Sequence, residues 1–385
     1  MTGGGSGGHI TPLLSLAGAL KLASPQCHLV YVGLKGDRFK GLQDRFKVFD
    51  EVRLISTGKF RRYHGESWLA HIADLKTLAL NARDFFKTLV GIYSARKLMK
   101  KIQPDVVFSK GGFVGVPVGI AAHWRGTPII THDSDATPGL SNRILGRWAA
   151  IHTTGMPAEF YNYPKETTRY VGIPIDERIQ FVTPALQAGF KSEIGVPGDA
   201  LVLLVTGGGL GSRSVNQLVL NSASQLLEAE PRLFIVHLSG HQHQAEVSDG
   251  YDTKLSSEHR RKVKVIGFSD ELYKYSGAAD VIITRAGATV LAEFAAQAKA
   301  CIVIPSTFLS GGHQLQNAKL LADAGAAKIL ADEVSVEELT AVTRELLRNQ
   351  PLRQELAKKL NSSAKMNAAG QLAQVILDKA GVPAR

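Results

Sequence analysis

The stretch LVLLVTGGGLGSRSVNQ, at Leu201–Gln217, decides the fold of this chain. Its first part, Leu201–Thr206, is a short uncharged and mostly apolar run, which is typical of a strand buried on both faces of a sheet. The glycine-rich turn Gly207–Ser212 follows directly and opens a helical pattern. A strand, a glycine-rich turn and a helix in this order predict one repeating unit of a parallel α/β sheet.

Further strand-like runs alternate with helical patterns along most of the chain. They are His28–Val32, Asp105–Ser109, Pro128–Thr131, Leu233–Leu238, Val263–Ile266, Asp280–Thr284, Cys301–Ile304 and Ala327–Leu330. A second glycine-rich turn, Gly3–Gly8, also opens a helical pattern. We therefore predict an α/β protein of two Rossmann-like domains that face a cleft and are joined within the Pro- and Gly-rich segment Gly172–Pro197.

The turn Gly3–Gly8 has almost no chain before it. A Rossmann-like domain carries its first strand at that place, but only Met1 and Thr2 precede the turn. A sheet without this strand would leave backbone N–H and C=O groups unpaired. We therefore expect the natural reading frame to start several residues upstream, with Met1 within or just after the strand.

Composition limits the classes of protein that fit. The chain has 385 residues, of which 44% are hydrophobic and 21% charged, and these values exclude a disordered or collagen-like protein. No run approaches the roughly 18 apolar residues of a membrane span, and no stretch reads as a secretory leader. Two widely spaced cysteines, Cys27 and Cys301, cannot form a disulfide framework, which indicates a reducing compartment such as the cytoplasm.

The formal net charge of +11 is concentrated in one segment. Lys35–Lys101 holds 16 Lys and Arg residues against 7 Asp and Glu residues, which indicates an anionic partner. Apolar residues at three- and four-residue spacing from Trp68 onward predict a long amphipathic helix or two joined ones. Such a helix either packs one face on a sheet and solvates its basic face, or touches anionic lipid with Phe85 and Phe86. We expect no nucleic acid partner, because the sequence has no recognition module.

The turn Gly3–Gly8 also matches the G-x-G-x-x-G spacing of dinucleotide-binding loops. That fingerprint needs an acidic residue at the end of the second strand, whereas Val32 is followed by a glycine, a leucine and Lys35. A dehydrogenase is therefore disfavoured. Glycine-rich loops at helix N-termini still bring N–H groups close to phosphates, so these two turns and Lys110–Gly112 predict phosphate groups from two substrates.

Six motifs follow one another in the order found in a known family. They are GGGSGGHITP (Gly3–Pro12), PDVVFSKGGFVGVPVGIAA (Pro104–Ala122), HDSDATPGLSNR (His132–Arg143), TGGGLGSRSVNQ (Thr206–Gln217), ADVIITRAGATVLAE (Ala279–Glu293) and HQLQNAKLLADAGAA (His313–Ala327). In these motifs the chain resembles the MurG family of lipid II-forming N-acetylglucosaminyltransferases, glycosyltransferase family 28. The resemblance is collinear over nearly the whole chain.

The resemblance implies a GT-B fold with an acceptor- and membrane-binding domain at 1–172, a UDP-GlcNAc-binding domain at 173–365, and a C-terminal helix at 366–385 that returns to the first domain. It implies inverting transfer of GlcNAc from UDP-GlcNAc to the C4 hydroxyl of the MurNAc-pentapeptide of lipid I. The product is lipid II, for peptidoglycan and cell-wall synthesis, and hence for cell shape and division. The enzyme would lie on the cytoplasmic face of the cell membrane as a peripheral protein and bind its anionic surface. It would need no cofactor and no metal.

The resemblance also implies the residues of the site. His9 in GGxGGH is the candidate general base and Asp133 its rival, while Glu293 would accept hydrogen bonds from the ribose of UDP. Residues implied for donor binding are Ser6, Gly7, Gly8, Asp135, Gly209, Ser269, Ala288, Thr289, Val290, Leu291, Ala292, Glu293, His313 and Gln314. Residues implied for the acceptor diphosphate are Lys110, Gly111 and Gly112.

Three positions depart from the residues usual in the family. Asp135 stands where asparagine is usual, Asp176 where an arginine contacts phosphate, and Gly209 where a serine is usual. Arg178 is a candidate for the missing cation. The run from Asp133 to Asp135 also reads D-x-D, a metal-binding signature of another glycosyltransferase fold, but we expect no bound metal here.

Two alternatives to the transferase stay open. A UDP-sugar epimerase of the same architecture would also bind UDP-GlcNAc, but it needs neither glycine-rich acceptor loops nor a basic apolar face. A non-catalytic UDP-sugar-binding protein would account for the departures at Asp135, Asp176 and Gly209.

Overall fold

The computed structural model describes residues 1–4, 7–36, 45–58, 75–307 and 312–382. They form two compact units. The first comprises Met1–Asp176, Phe308–His313 and Lys365–Arg385, and the second comprises Glu177–Thr307 and Gln314–Ala364. Each unit contains a parallel β-sheet with packed helices, which confirms the prediction of two Rossmann-like α/β domains.

Strands and helices alternate along both units. The strands are β1 Val30–Leu34, β2 Glu51–Ile55, β3 Val107–Ser109, β4 Ile129–Asp133, β5 Ile151–Thr154, β6 Thr168–Tyr170, β7 Leu201–Thr206, β8 Leu233–Leu238, β9 Val263–Ile266, β10 Val281–Thr284, β11 Cys301–Val303 and β12 Lys328–Ile329. The helices are α1 Gly7–Ala23, α2 Leu75–Ile102, α3 Gly115–Arg125, α4 Leu140–Leu145, α5 Pro184–Glu193, α6 Arg213–Ala229, α7 Gln244–Lys254, α8 Ser257–Arg260, α9 Leu272–Ala278, α10 Ala288–Ala296, α11 His313–Asp323, α12 Val336–Arg348, α13 Gln350–Ser362 and α14 Ala368–Ala380.

Met1 and Thr2 occupy the centre of the first sheet. The strands pair in the orders β1-β2 and β3-β4-β5-β6, and Thr2 forms parallel bridges to Val32 of β1 and Ser109 of β3. The Met1 carbonyl accepts a hydrogen bond from the Val32 N–H at 2.9 Å. The Met1 nitrogen donates to the Val30 carbonyl at 2.7 Å. Met1 and Thr2 therefore pair the inner strands β1 and β3 of this sheet.

The second sheet has the order β12-β11-β10-β7-β8-β9, and all its pairs are parallel. The central strand β7 is buried on both faces, as its sequence predicts. Leu203 and Val205 join the core formed with α6 and α12, whereas Val202 and Leu204 join the opposite core, which contains Phe294 of α10. The stretch with which the sequence analysis begins therefore forms the middle of this unit.

The C-terminal helix α14 packs against α1 in the first unit. Leu372 and Ile376 are one turn apart, so both point into a core that also contains Leu16 and Leu20 of α1. Helix α14 ends at Ala380 and is followed by Gly381, whose φ of +69° is typical of a left-handed C-terminal cap. This packing makes the end of the chain part of the first unit.

Replacing Leu372 by alanine is expected to destabilise the first unit by about 2–5 kcal/mol, because the side chain is fully buried and a cavity would remain. Urea unfolding measures the change. Gln371→Ala, at an exposed position on the same turn, serves as the control and should change the free energy of unfolding little. Equal effects of the two substitutions would contradict the packing of α14 described above.

Candidate functional site

The turn Gly207–Ser212 connects β7 to α6 and passes close to the loop that follows β8. Gly211 has a φ of +77°, and a Cβ atom there would overlap the Ser239 carbonyl group, so this position requires glycine. At Gly209 the nearest atom to a Cβ would belong to Phe268, at 4.0 Å. A side chain would therefore fit at Gly209, so the turn itself does not require a glycine at this position.

A buried chain of hydrogen bonds stabilises the contact between the glycine-rich turn and the loop after β8. Asn216 in α6 donates from Nδ2 to the Ser239 carbonyl at 2.9 Å, so its Oδ1 atom is left to accept from His237 Nε2 at 3.0 Å. His237 Nδ1 then accepts from the Tyr251 hydroxyl at 2.9 Å. Each group thus has a fixed donor or acceptor role, which holds the glycine-rich turn and the loop after β8 together.

The positions implied for donor binding lie in the segments that follow the strands of the second sheet. Gly209 follows β7, Ser269 follows β9, Ala288–Glu293 open α10 after β10, and Gln314 lies in the first turn of α11. Parallel strands end at one edge of a sheet, and ligands of such sheets bind at that edge. The structure thus brings these positions to one edge, while His313 is the first residue of α11.

Several of these side chains have structural partners. Gln314 Oε1 accepts from the Ser306 N–H at 2.9 Å, and Ser269 Oγ accepts from the Glu271 N–H at 3.0 Å. Asn317, the last polar residue of the H-Q-x-x-N motif, is buried and donates to a carbonyl of the turn before α10 at 2.9 Å. In α10 the residues Ala288, Leu291 and Glu293 are buried, whereas Thr289, Val290 and Ala292 are partly exposed.

In the first unit, Lys110 directly follows β3 and Asp133 ends the neighbouring strand β4, and both lie in a buried charged cluster. Burial lowers the pKa of the Lys110 amine, although the carboxylates of Asp135 and Asp133 oppose this shift. Burial likewise raises the pKa of Asp133, although its hydrogen bonds and Lys110 oppose the change. Lys110 and the carboxylates thus each favour the charged form of the other within a buried site.

Both oxygens of Asp133 are occupied by partners within the first unit. Oδ1 accepts from the Gly139 N–H at 3.1 Å and from Asn142 Nδ2 at 3.0 Å, and Oδ2 accepts from the Tyr163 hydroxyl at 2.9 Å. A carboxylate with three donors and about 5% exposure holds its loop in place. This geometry favours a structural contribution of Asp133 over proton abstraction.

The two glycine-rich loops of the first unit approach each other closely. Gly111 and Gly112 have φ of +95° and +79°, and a Cβ on Gly112 would lie 2.5 Å from the Gly4 carbonyl oxygen. Helix α1 begins at Gly7. Ser6 lies outside the described residues, and so do the side chains of the first helical residues up to His9, so the geometry of this candidate base is not part of the description.

Asp176 and Arg178, the departure from the family pattern and the candidate for the missing cation, have different surroundings. Asp176 is buried, and the guanidinium group of Arg178 lies over the Tyr273 ring at 4.6 Å from its centroid. Arg178 is thus held beside α9.

The sequence did not single out three residues whose hydrogen bonds hold the site loops, Asn142, Asn216 and Tyr163, although two of them lie inside the quoted motifs. Asn142 is the next-to-last residue of HDSDATPGLSNR and Asn216 is the next-to-last residue of TGGGLGSRSVNQ, so their positions within motifs were a usable signal. Tyr163 carries no such signal, because it reaches Asp133 from a segment without a motif.

Among the residues that the structure describes, no three His, Cys, Asp or Glu side chains are grouped so that they could hold a metal ion. The same residues include no helix that is long and apolar enough to cross a membrane.

Comparisons with known proteins agree with one another. The glycosyltransferase family 28 N-terminal domain matches residues 1–152, and the family 28 C-terminal domain matches residues 202–372. The UDP-N-acetylglucosamine–N-acetylmuramyl-(pentapeptide) pyrophosphoryl-undecaprenol N-acetylglucosamine transferase of Citrifermentans bemidjiense is 30% identical over 98% of this chain and 99% of its own. The crystal structure of Acinetobacter baumannii MurG superposes with a TM-score of 0.69, 25% identity and 98% coverage of both chains.

A UDP-GlcNAc 2-epimerase from Neisseria meningitidis, bound to UDP-GlcNAc, also superposes, with a TM-score of 0.64 over 98% of this chain and 99% of that one. Its sequence identity of 12% makes this a likeness of fold alone.

The two parallel α/β units, with glycine-rich turns after their strands, define a protein of the GT-B class. The family models cover most of both units, and the sequence likeness extends over nearly the whole chain. The chain belongs to glycosyltransferase family 28.

His237 is expected to make the stability of the second unit depend on pH. Burial lowers its pKa to about 3, whereas an unfolded histidine has a pKa of about 6.5. The unfolded state alone therefore binds a proton between these values, so stability is lost as pH falls from about 6.5 towards 3, by up to about 1.4 kcal/mol per pH unit. His237→Gln should flatten urea-unfolding free energies between pH 7 and 4. Parallel pH profiles for both proteins would contradict this.

Proposed function

We propose that the chain transfers GlcNAc from UDP-GlcNAc to the C4 hydroxyl of the MurNAc-pentapeptide of lipid I, which yields lipid II. The observation that carries the proposal is the collinear likeness to transferases of this name over 98% of the chain, with glycine-rich loops after the strands of both units. The product would serve peptidoglycan synthesis, and through it cell shape and division.

The second unit, taken as 173–365, would bind the donor. The N-terminus of α6 and the turn Gly207–Ser212 offer N–H groups and a helix dipole to the diphosphate, which stabilises the charge that grows on UDP as it leaves. Glu293 would accept hydrogen bonds from the ribose, and Gln314 would contact the sugar. The main chain at Ser269 would recognise uracil.

The first unit, taken as 1–172 with the helix at 366–385, would bind the acceptor. Lys110 and the N–H groups of Gly111 and Gly112 would hold the acceptor diphosphate. We propose His9 as the general base, since both Asp133 oxygens are occupied by structural donors. The displacement proceeds with inversion and uses no cofactor.

The surface of α2 supports a peripheral location on the cytoplasmic face of the cell membrane. Asp84, Thr88 and Met99 are buried, so the opposite face of the helix points to solvent. That face carries the exposed residues Phe85, Phe86, Leu89, Val90 and Tyr93. Basic residues of α2 flank it, and the guanidinium of Arg96 lies 5.9 Å from the centroid of the exposed Trp124 ring. Aromatic rings between basic side chains are typical of contact with anionic lipid.

The transferase and the epimerase are separated by their products. The purified chain is incubated with UDP-GlcNAc, with and without a lipid I analogue, and the products are analysed by mass spectrometry. We expect a GlcNAc–MurNAc disaccharide and UDP only when the acceptor is present. Conversion of UDP-GlcNAc to another UDP-sugar without acceptor would instead establish an epimerase, and binding without any product would establish a non-catalytic protein.

Replacing Phe85 and Phe86 by serine is expected to lower binding to anionic liposomes at least tenfold, because two exposed rings would no longer enter the lipid interface. Co-sedimentation measures the binding. Phe181→Ser, at an exposed aromatic residue of the second unit, is the matched control and should bind as the unaltered chain does. Unchanged binding of the double variant would exclude this face of α2 as the membrane contact.

A further inference from the structure

Arg285 begins the R-x-G-A-T motif, yet neither the donor nor the acceptor contacts proposed above use it. It directly follows β10, and its side chain is about 9% exposed. The guanidinium Nη1 donates to Asp332 Oδ1 at 2.6 Å and to the Ile304 carbonyl at 3.0 Å. On its other side Nε donates to Ser212 Oγ at 2.9 Å, and Nη2 donates to Ser214 Oγ.

These bonds make Arg285 a poor ligand for a phosphate group. A guanidinium has five N–H donors, and the partners just named engage both sides of its fork. Its charge is neutralised by Asp332, which is itself about 4% exposed. Asp332 is held in turn by the Thr307 N–H at 3.1 Å and the Thr307 hydroxyl at 3.2 Å. Arg285 therefore links the glycine-rich turn to the segments after β11 and β12.

The contact with Ser212 changes the N-terminus of α6. Ser212 occupies the N-cap position, where a serine oxygen ordinarily accepts from an N–H group of the first turn. In the described structure, the Ser212 side chain makes no such capping bond with α6, and its oxygen accepts from Arg285 instead. The first turn of α6 thus lacks the intramolecular acceptor that would compete with an anion for its N–H groups.

We infer that Arg285 is a positioning residue that holds the Ser212 hydroxyl away from the first turn of α6 and so keeps its N–H groups available to the donor diphosphate. The inference rests on the proposed use of this turn for UDP. It assigns the arginine of the motif to loop geometry, with Asp332 as the carboxylate that fixes it.

The test uses Arg285→Met with Asp332→Asn, which removes both charges and so avoids leaving either group buried without its partner. The control is Arg260→Met with Asp252→Asn. Arg260 likewise pairs with a carboxylate and donates to a carbonyl and a serine hydroxyl, but these partners, Asp252, Val263 and Ser248, lie outside the glycine-rich turn. A third variant adds Ser212→Ala to the first pair.

Calorimetry measures the affinity of each variant for UDP and for uridine, which lacks the diphosphate. We expect the Arg285/Asp332 variant to bind UDP about fivefold more weakly, because the released Ser212 hydroxyl would compete with the diphosphate by about the free energy of one serine N-cap bond. Its affinity for uridine should be unchanged. Adding Ser212→Ala should restore UDP affinity, because the competing hydroxyl is gone. The Arg260/Asp252 control should bind both ligands as the unaltered chain does.

Loss of UDP and uridine affinity together, or no recovery with Ser212→Ala, would overturn the positioning role. If the unaltered chain binds UDP but does not transfer GlcNAc, the transferase fails while the role of Arg285 still stands on the calorimetry. If the unaltered chain does not bind UDP, both are overturned.

Discussion

Gly211 lies so close to the Ser239 carbonyl that a Cβ atom would overlap it, and the direction of α6 in the second unit depends on this contact. No side chain fits between them, and the Ser239 carbonyl is also the acceptor for Asn216. Because α6 starts two residues after this contact, its direction is set by a crossing of two loops that follow β7 and β8. Arg285 fixes the same turn from the side of β10. Three parallel strands therefore control where the N-terminus of one helix points.

How far the sequence predicts this fold depends on how deeply each strand is buried. β7 and β10 are covered on both faces, so their sequences are continuous apolar runs that indicate strands without further context. β2, β5 and β6 were not predicted. β2 is five residues long and contains two charged side chains, and β5 and β6 are short and rich in polar and basic side chains, so none of the three forms a continuous apolar run. These strands are set by pairing with neighbours and not by their own composition.

The amphipathic segment shows a similar limit of pattern reasoning. The helix itself is confirmed over Leu75–Ile102, and the part from Trp68 to residue 74 lies outside the described residues. Its buried stripe contains Asp84 and Thr88, whereas the aromatic pair Phe85 and Phe86 is exposed. Hydrophobicity alone assigns the apolar residues to the core. Only the structure shows that the Thr88 hydroxyl accepts a hydrogen bond from the Gly58 N–H at 3.3 Å, in the segment after β2.

Motif likeness and geometry give different information about the candidate site. The motif likeness makes Asp133 an alternative to His9 as the candidate base. In the structure, however, three hydrogen-bond donors surround the Asp133 carboxylate, and one of them is Tyr163, which lies outside every motif. Long-range contacts of this kind are invisible in a single sequence.

The likeness to a UDP-GlcNAc 2-epimerase shows, in turn, that the fold is shared between transferases and epimerases. The features that we propose to favour transfer are ones that a donor site alone does not need: the apposed loops at Gly4 and Gly112, and the exposed aromatic face of α2. Both lie in the first unit, so the proposal of transfer over epimerisation rests on the unit that is proposed to bind the acceptor.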